Sequence, residues 1–139
     1  MPKPIGLTMD CADAIKLAEF WKFALGYEDE PPPPPFTTRA EWVASFDLAD
    51  DDDGEGAWLH DPTGVGPRLS LLEVPEPKVA KNRLHMDIRV SDGAPEERRW
   101  SVVIETADRL TAAGATVVRV DGEHHIVMAD PEGNEFCIK

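Results

Sequence analysis

The sequence predicts an α+β domain made of two βαβββ modules, and three observations support this fold class. Strand-like segments surround one amphipathic helical segment in each half of the chain, so the order β-α-β-β-β occurs twice. Each helical segment ends at a glycine, Gly26 and Gly114. The turn sequences DPTG (61–64) and DPEG (130–133) stand at the same point of the two halves. We therefore expect a curved, mostly antiparallel sheet that forms a cup, with the helices outside.

The first module, about residues 4–75, begins with a weakly alternating strand at 5–10. Asp13 stands in the position of a helix N-cap ahead of AIKLAEFWKFAL, and Gly26 follows as a C-terminal stop. The proline run at 31–35 can form neither a helix nor an inner strand, so it predicts a stiff connector. Three predicted strands complete the module, at 41–48, 57–61 and 67–74.

A linker at about 76–82 separates this module from the second, about residues 83–139. RLHMDIRV alternates as a strand over 83–90, and SVVIETADRLTAAG predicts a helix over 101–114. ATVVRVD, HHIVMAD and NEFCI predict three short strands separated by turns. Because one module cannot cover its own sheet face, we expect the two to pair as a single domain over residues 1–139.

The composition argues against several classes of partner. The formal net charge of −13 repels nucleic-acid phosphates and anionic membrane surfaces. No apolar run approaches the roughly 20 residues of a membrane span, and the N-terminus lacks the apolar segment of a signal peptide. Two cysteines, Cys11 and Cys137, are too few for a disulfide framework. We expect a cytoplasmic protein with no nucleic-acid or membrane partner.

Several segments of the chain resemble a known superfamily. The helix signature Asp13…Phe20-Trp21…Leu25-Gly26, the segment KNRLHMDIRV and the closing MADPEGNEFC are similar to the vicinal oxygen chelate superfamily. That superfamily includes glyoxalase I, extradiol dioxygenases and the bleomycin and fosfomycin resistance proteins; more narrowly, the chain resembles small bacterial glyoxalase-like domain proteins. The resemblance implies a cup with a ligand or metal at its centre. In metal-dependent members, four side chains converge there, one from the first and one from the last strand of each module.

Only one of the four ligand positions implied by the resemblance carries the expected residue. His85, seven residues before Asp92, matches the ligand histidine of the second module. The equivalent position in the first module is Gly6, which has no side chain. The carboxylate expected seven residues after Asp130 is replaced by Cys137. The resemblance therefore implies a site that has lost most of its chelating groups.

The fourth position is ambiguous, because the residues at 65–67 shift the register of the strand that follows. Either Ser70 or Leu72 is equivalent, and neither is a good metal ligand. A catalytic zinc site needs three protein ligands, and Mg²⁺ or Mn²⁺ needs several oxygens. We therefore expect no cofactor. If a divalent metal is bound, we expect His85 and Glu135 to hold it, since Glu135 lies two residues before Cys137 on the same strand face.

Eight residues are candidates for the ligand site. Trp42 and Trp58 lie on or beside predicted strands of the first module, where they either stack on an aromatic ligand or belong to the core. His85 either orients a ligand, acts as a catalytic general base, or is a core histidine. The full set is Trp42, Trp58, His85, Asp87, Arg89, His125, Glu135 and Cys137.

The other candidates also leave alternatives open. Asp87 and Arg89 share the strand parity of His85, so they form either a buried polar network or a clamp for an anionic ligand. His125 follows another histidine, and only one of the pair can face inward. Cys137 is either a buried, apolar thiol or, if a neighbour lowers its pKa, a nucleophile.

These observations predict a protein that binds a small aromatic or polycyclic molecule in its cup without a complete metal site. The alternative hypothesis is a metal-dependent lyase, isomerase or dioxygenase of the glyoxalase type that uses His85 and non-standard ligands. A third hypothesis is a metal-free enzyme with His85 as the base. Each module's sheet has edges that need cover, so we expect a homodimer.

Overall fold

The computed structural model describes residues 1–45 and 56–139 and confirms the α+β class with two modules. The first module consists of β1 (Gly6–Cys11), α1 (Ala14–Leu25), β2 (Glu28–Asp29), α2 (Arg39–Ala44), β3 (Gly56–His60) and β4 (Arg68–Glu73). The second consists of β5 (Met86–Ile88), α3 (Glu96–Ala112), β6 (Thr116–Asp121), β7 (His125–Ala129) and β8 (Glu135–Ile138). The doubled order is the predicted one, with α2 added to the first module.

Each module forms its own four-stranded mixed sheet. The strand orders are β1-β4-β3-β2 and β5-β8-β7-β6. In both sheets the first strand of the module pairs in parallel with the last strand. The remaining pairings are antiparallel, as predicted for most of the fold. The two sheets therefore have the same topology, which makes positions in one module comparable with positions in the other.

Local capping explains where helix α1 begins and ends. The side chain of Asp13 accepts a hydrogen bond from the backbone N–H of Lys16 at 3.0 Å, and Gly26 closes the helix with φ of 71°. Leu17 and Trp21 are almost fully buried on its inner face. Among the described residues, no helix has the length and apolar composition needed to cross a membrane.

The strand predicted at 41–48 is wrong in the part that the structure describes, because α2 covers 39–44. The hydroxyl oxygen of Thr38 accepts a hydrogen bond from the N–H of Glu41 at 3.1 Å, and the Glu41 carboxylate accepts one from the N–H of Thr37 at 3.2 Å. These reciprocal bonds stabilise a helix start. Residues 46–48 of the predicted strand lie outside the described residues. The second strand of the module is the two-residue β2, which pairs with β3.

The closing DPEGN turn fastens the second module to α1 of the first. The indole N–H of Trp21 donates a hydrogen bond to Asp130 Oδ2 at 3.1 Å. The carboxylate of Glu132 accepts hydrogen bonds from the N–H groups of Ala12 and Asp13, at 2.6 and 3.0 Å. Phe136 of β8 packs its ring 5.1 Å from that of Trp21. The turn therefore links the two modules as well as reversing the chain.

Side-chain alternation gives each sheet one core face and one open face. In the first module Leu59, Leu69 and Leu71 are buried in the core, so Trp58 and Ser70 lie on the opposite face. In the second module the core face carries Ile126, Met128, Phe136 and Ile138. We call the face turned away from these core residues the open face of each sheet.

Candidate ligand-binding site

The open face of the second module carries a cavity of about 540 Å³. We call it the face cavity. Strand β7 contributes alternate residues to its wall, β8 contributes two more, and His85 stands immediately before β5. The structure thus brings together four residues singled out from the sequence, which are His85, His125, Glu135 and Cys137. Val127 and Ala129 supply apolar surface beside them.

A larger cavity of about 960 Å³ lies between β1, the linker and the start of β5. We call it the seam cavity because residues of both modules line it. It shares Lys81, His85 and Glu135 with the face cavity, so these side chains stand where the two spaces meet. Lys81 and Glu135 form an ion pair, and the backbone N–H of Glu135 donates a hydrogen bond to Asn82 Oδ1 at 3.1 Å. The linker is therefore fixed to β8 beside His85.

His85, Asp87 and Cys137 form a compact cluster at this junction. His85 Nε2 lies 3.2 Å from Asp87 Oδ1, and the possible ligand atoms of the three residues all lie within 4.8 Å of one another. The ammonium group of Lys139 donates a hydrogen bond to Asp87 Oδ2 at 3.3 Å. Partial burial raises the pKa of Asp87, but Lys139, His85 and Cys137 together outweigh it and lower that pKa. Asp87 is therefore a carboxylate at neutral pH.

The environment of Cys137 disfavours the thiolate, which is the nucleophilic form of this side chain. Burial raises the pKa of this thiol, and the negative charge of Asp87 raises it further, against the smaller influences of Lys139 and Arg119. The protonated thiol is a weak nucleophile. The imidazole of His85, by contrast, is about half exposed and faces both cavities. Among these three residues, His85 is the group best placed to exchange a proton with a bound ligand.

The strand register identifies the equivalent positions of the first module. Val127, three residues before Asp130, pairs with Cys137, just as Trp58, three residues before Asp61, pairs with Ser70. Cys137 in turn pairs with Asp87, and Ser70 with Thr8. Ser70, rather than Leu72, is therefore the counterpart of Cys137, and Gly6 is the counterpart of His85. These first-module positions offer no strong metal ligand, so the four-ligand arrangement implied by the family resemblance is not assembled from these four positions.

The donor set of the cluster meets some of the needs of a metal ion. One imidazole, one carboxylate and one thiol are ligand types that Zn²⁺ accepts, and three ligands would leave an open position. Bond lengths of about 2.0–2.3 Å place tetrahedral ligand atoms about 3.3–3.8 Å apart, and His85 Nε2 and Asp87 Oδ1 are already 3.2 Å apart. The protonated thiol would also have to lose its proton. The cluster therefore fits a zinc-type site in composition, provided that Cys137 gives up its proton.

Asp121 contacts two side chains that line the face cavity, Arg119 and His125. Its carboxylate accepts hydrogen bonds from Arg119 Nε at 2.8 and 2.9 Å, and it lies 2.9 Å from His125 Nε2. The hydrogen bond and charge of Arg119 lower the pKa of Asp121 despite partial burial. His125 Nδ1 lies 2.7 Å from His124 Nδ1. Arg119 was not singled out from the sequence, because an alternating strand pattern does not reveal a local change of register.

The two candidate tryptophans of the first module lie together but away from the His85 cavities. Trp42 is on α2 and Trp58 is on β3, with ring centroids 5.5 Å apart. The guanidinium of Arg39 lies 4.5 Å from the Trp42 ring and 4.9 Å from the Trp58 ring, and it donates a 2.6 Å hydrogen bond to the Glu30 carbonyl. Neither tryptophan is among the described residues that line the face or seam cavity.

Arg89 is also separated from the face cavity. It lines a third space of about 320 Å³, together with Trp100 and Lys139. Asp87 lies between the two regions, because it contacts His85 on one side and Lys139 on the other. In the described part of the chain, Asp87 and Arg89 therefore do not form a single clamp for an anionic ligand.

Comparison with known proteins gives a consistent picture of the fold. A family model described as a glyoxalase-like domain matches residues 6–139. No curated protein matches this sequence.

Several solved structures share the fold at low sequence identity. A trypanothione-dependent glyoxalase I from Leishmania major is 15% identical, with 99% of this chain and 86% of that chain covered and a TM-score of 0.66. A mutant of the fosfomycin resistance protein FosX from Listeria monocytogenes, complexed with Mn(II) and 1S,2S-dihydroxypropylphosphonic acid, is 12% identical, with 99% and 91% covered and a TM-score of 0.65. A glyoxalase/bleomycin resistance protein/dioxygenase family enzyme from Burkholderia phytofirmans is 14% identical, with 95% and 93% covered and a TM-score of 0.62.

Proposed function

The chain belongs to the glyoxalase-like domain family of the vicinal oxygen chelate superfamily, and on that basis we propose that it binds a small aromatic or polycyclic molecule in the face cavity without a complete family metal site. The observation that carries the proposal is the wall of that cavity, where apolar Val127 and Ala129 stand beside His85 and His125. Ligand sites commonly combine apolar walls with a few fixed polar groups. The volume of about 540 Å³ lies within the range of small-molecule pockets, about 300–1,000 Å³.

Neutral naphthalene and anthracene derivatives provide a direct test. We expect some of them to cause saturable changes in the backbone amide NMR signals of Val127, Ala129 and Gly133, which line the face cavity. Substituting Val118→Trp should block the cavity, because Val118 is exposed and lines it.

The neighbouring Val117→Trp variant is the matched control. Val117 is also exposed, but it pairs with the core residue Met128 and so points to the other face of the sheet. Binding should survive this change. A panel without any saturable binder, or binding that Val118→Trp leaves intact, would contradict the proposal.

A metal-dependent lyase, isomerase or dioxygenase is the second candidate, and the His85–Asp87–Cys137 cluster is the observation that favours it. These residues would hold a divalent ion, which would supply Lewis-acid polarisation of a bound oxygen atom. His85 and Asp87 would orient each other, and Cys137 would have to give up its proton.

Elemental analysis of protein purified without a histidine tag distinguishes the two candidates. The small-molecule proposal expects less than stoichiometric metal. One ion per chain that disappears in His85→Ala and Asp87→Asn, but persists in Glu135→Gln, would favour the metal-dependent candidate.

We further propose that the protein is a cytoplasmic homodimer. Strand β6 ends the second sheet, and Val117, Val118 and Val120 on it are about half exposed. An exposed, apolar edge strand favours association with another chain. Sedimentation equilibrium at micromolar concentration should give twice the chain mass of 15.3 kDa. A monomer at that concentration would contradict the homodimer without affecting the ligand proposal.

A further inference from the structure

We propose that the face cavity selects organic carboxylates and that Arg119 is the residue that contacts the carboxylate group. The inference rests on the proposed function and adds the chemical class of the ligand. It depends on the position of Arg119 in strand β6, on the hydrogen-bonding groups that this arginine leaves available, and on the distribution of charge around the cavity.

A local irregularity of β6 places Arg119 at the cavity. Val117 pairs with Met128, whereas Arg119 pairs with Val127, so the register shifts by one residue and Val118 is the extra one. A bulge of this kind turns two consecutive side chains toward one face of a sheet. Val118 and Arg119 accordingly both line the face cavity. Bulges are common beside binding sites, where they redirect a side chain.

The hydrogen bonds of Arg119 leave most of its donors available. Its Nε donates to both oxygens of Asp121, at 2.8 and 2.9 Å. Within residues 1–45 and 56–139, the terminal Nη atoms have no hydrogen-bond partner. Asp121 thus fixes the plane of the guanidinium, and the free edge can donate two parallel hydrogen bonds to a carboxylate.

The charge around the cavity contrasts with that of the whole chain. The chain has 14 lysine and arginine residues against 27 aspartate and glutamate residues. Lys81 and Arg119 line the face cavity; Lys81 is paired with the carboxylate of Glu135 and Arg119 with that of Asp121, so these four charges balance. His85 and His125 add ring N–H groups to the same wall. The cavity is therefore rich in hydrogen-bond donors on an otherwise acidic protein.

A singly charged carboxylate fits this setting better than a phosphate dianion. The net charge of −13 repels every anion at long range, and the repulsion doubles for a dianion. One guanidinium edge satisfies one carboxylate in the bidentate geometry. The apolar surface of Val118, Val127 and Ala129 would cover the aromatic body of the ligand.

Calorimetric titration with 2-naphthoate and its neutral analogue 2-naphthamide tests the inference. We expect 2-naphthoate to bind roughly tenfold more tightly than 2-naphthamide, because a hydrogen bond to a charged group is stronger than one between neutral groups. The Arg119→Gln variant should lose the preference for 2-naphthoate.

Arg98→Gln is the matched control, because it removes the same charge from an exposed site on α3 that does not line the face cavity. It should leave the preference unchanged. Equal binding of both compounds by the unmodified protein, or a preference that survives Arg119→Gln, would overturn the carboxylate inference and leave the ligand proposal intact. If neither compound binds while other ring systems do, the inference also fails. If no aromatic compound binds at all, the proposed function fails and the inference with it.

Discussion

The chemistry of Cys137 is decided by one neighbouring residue. The thiol is 8% exposed and lies beside the Asp87 carboxylate, which is held in its charged form by Lys139 and His85. Burial and the negative charge of Asp87 raise the thiol pKa. At the position where the family resemblance implies a carboxylate, this chain thus has an uncharged thiol at neutral pH, which lines the face cavity.

Removing the charge of Asp87 should make Cys137 more reactive. In Asp87→Asn the thiol pKa falls, so the thiolate fraction at pH 7.5 rises by about tenfold for each pKa unit. We expect faster alkylation of Cys137 by iodoacetamide, followed by peptide mass spectrometry.

Two internal comparisons make this experiment specific. Cys11 has its pKa raised to about 11 by burial and by Glu132, Glu73 and other acids, so its slow alkylation should not change. Asp108→Asn removes a charge from an exposed position of α3 and should have no effect. An unchanged rate at Cys137 in Asp87→Asn would show that the carboxylate does not control the thiol.

At the scale of elements, the DPEGN turn and helix α1 form one hydrogen-bonded unit. Asp130 Oδ1 accepts hydrogen bonds from the N–H groups of Glu132 and Asn134, both at 2.9 Å, while Oδ2 accepts from Trp21. Burial raises the pKa of Asp130 in spite of the bonds from Asn134, Glu132 and Trp21. A short turn of the second module therefore positions the helix of the first.

Asp130→Asn should destabilise the protein by about 1–3 kcal/mol, because an amide N–H₂ would face the N–H donor of Trp21 and leave it unsatisfied. Urea unfolding at pH 7 measures the change. Asp61→Asn is the comparison, since Asp61 begins the corresponding turn of the first module and accepts hydrogen bonds from Thr63 and Gly66 within that turn. It should cost less than Asp130→Asn, and equal losses would show that the contact between modules adds nothing.

The C-terminal end of α1 supports a second prediction at this scale. Gly26 has φ of 71° and no atom within 4 Å of an added Cβ, so Gly26→Ala introduces only backbone strain. We expect a loss of about 1 kcal/mol in the free energy of unfolding. Gly6→Ala is the control, because Gly6 lacks a positive φ and its nearest atom would be 4.0 Å away. If both substitutions are neutral, the left-handed cap does not contribute.

At the scale of the whole molecule, charge opposes compactness. The net charge of −13 is spread over 139 residues, and most ion pairs of the described residues are at least partly exposed. Exposed pairs contribute little to stability. Long-range repulsion among the acidic groups therefore remains largely uncompensated.

Salt should consequently stabilise the protein at neutral pH. Raising NaCl from 0.02 to 0.3 M shortens the screening length and should raise Tm by roughly 2–5 °C. The same change near pH 5, close to the isoelectric point of about 4.6, should have little effect. Thermal unfolding followed by circular dichroism measures both. A fall in Tm with salt at neutral pH would show that attractive pairs dominate.

Residues with strong local signals were predicted correctly. Asp13 and Gly26 limit α1 as expected, and both DPxG segments form turns, because capping and turn geometry depend on a few neighbouring residues. The helix α2 was missed although Thr38 and Glu41 carry a local signal, because alternating apolar residues at 41–48 suggested a strand. The position of Arg119 could not be predicted, since a bulge depends on pairing between strands.

The sequence by itself determined the doubled βαβββ order and the closing turn, because these follow from short-range patterns and residue identity. Only the tertiary structure decided that His85, His125, Glu135 and Cys137 share one cavity, that Arg119 joins them, and that Trp42 and Trp58 pack around Arg39 elsewhere. The physical reason is that strand register and module packing set which distant side chains meet. Strand register and module packing depend on many weak contacts across the chain rather than on any one segment.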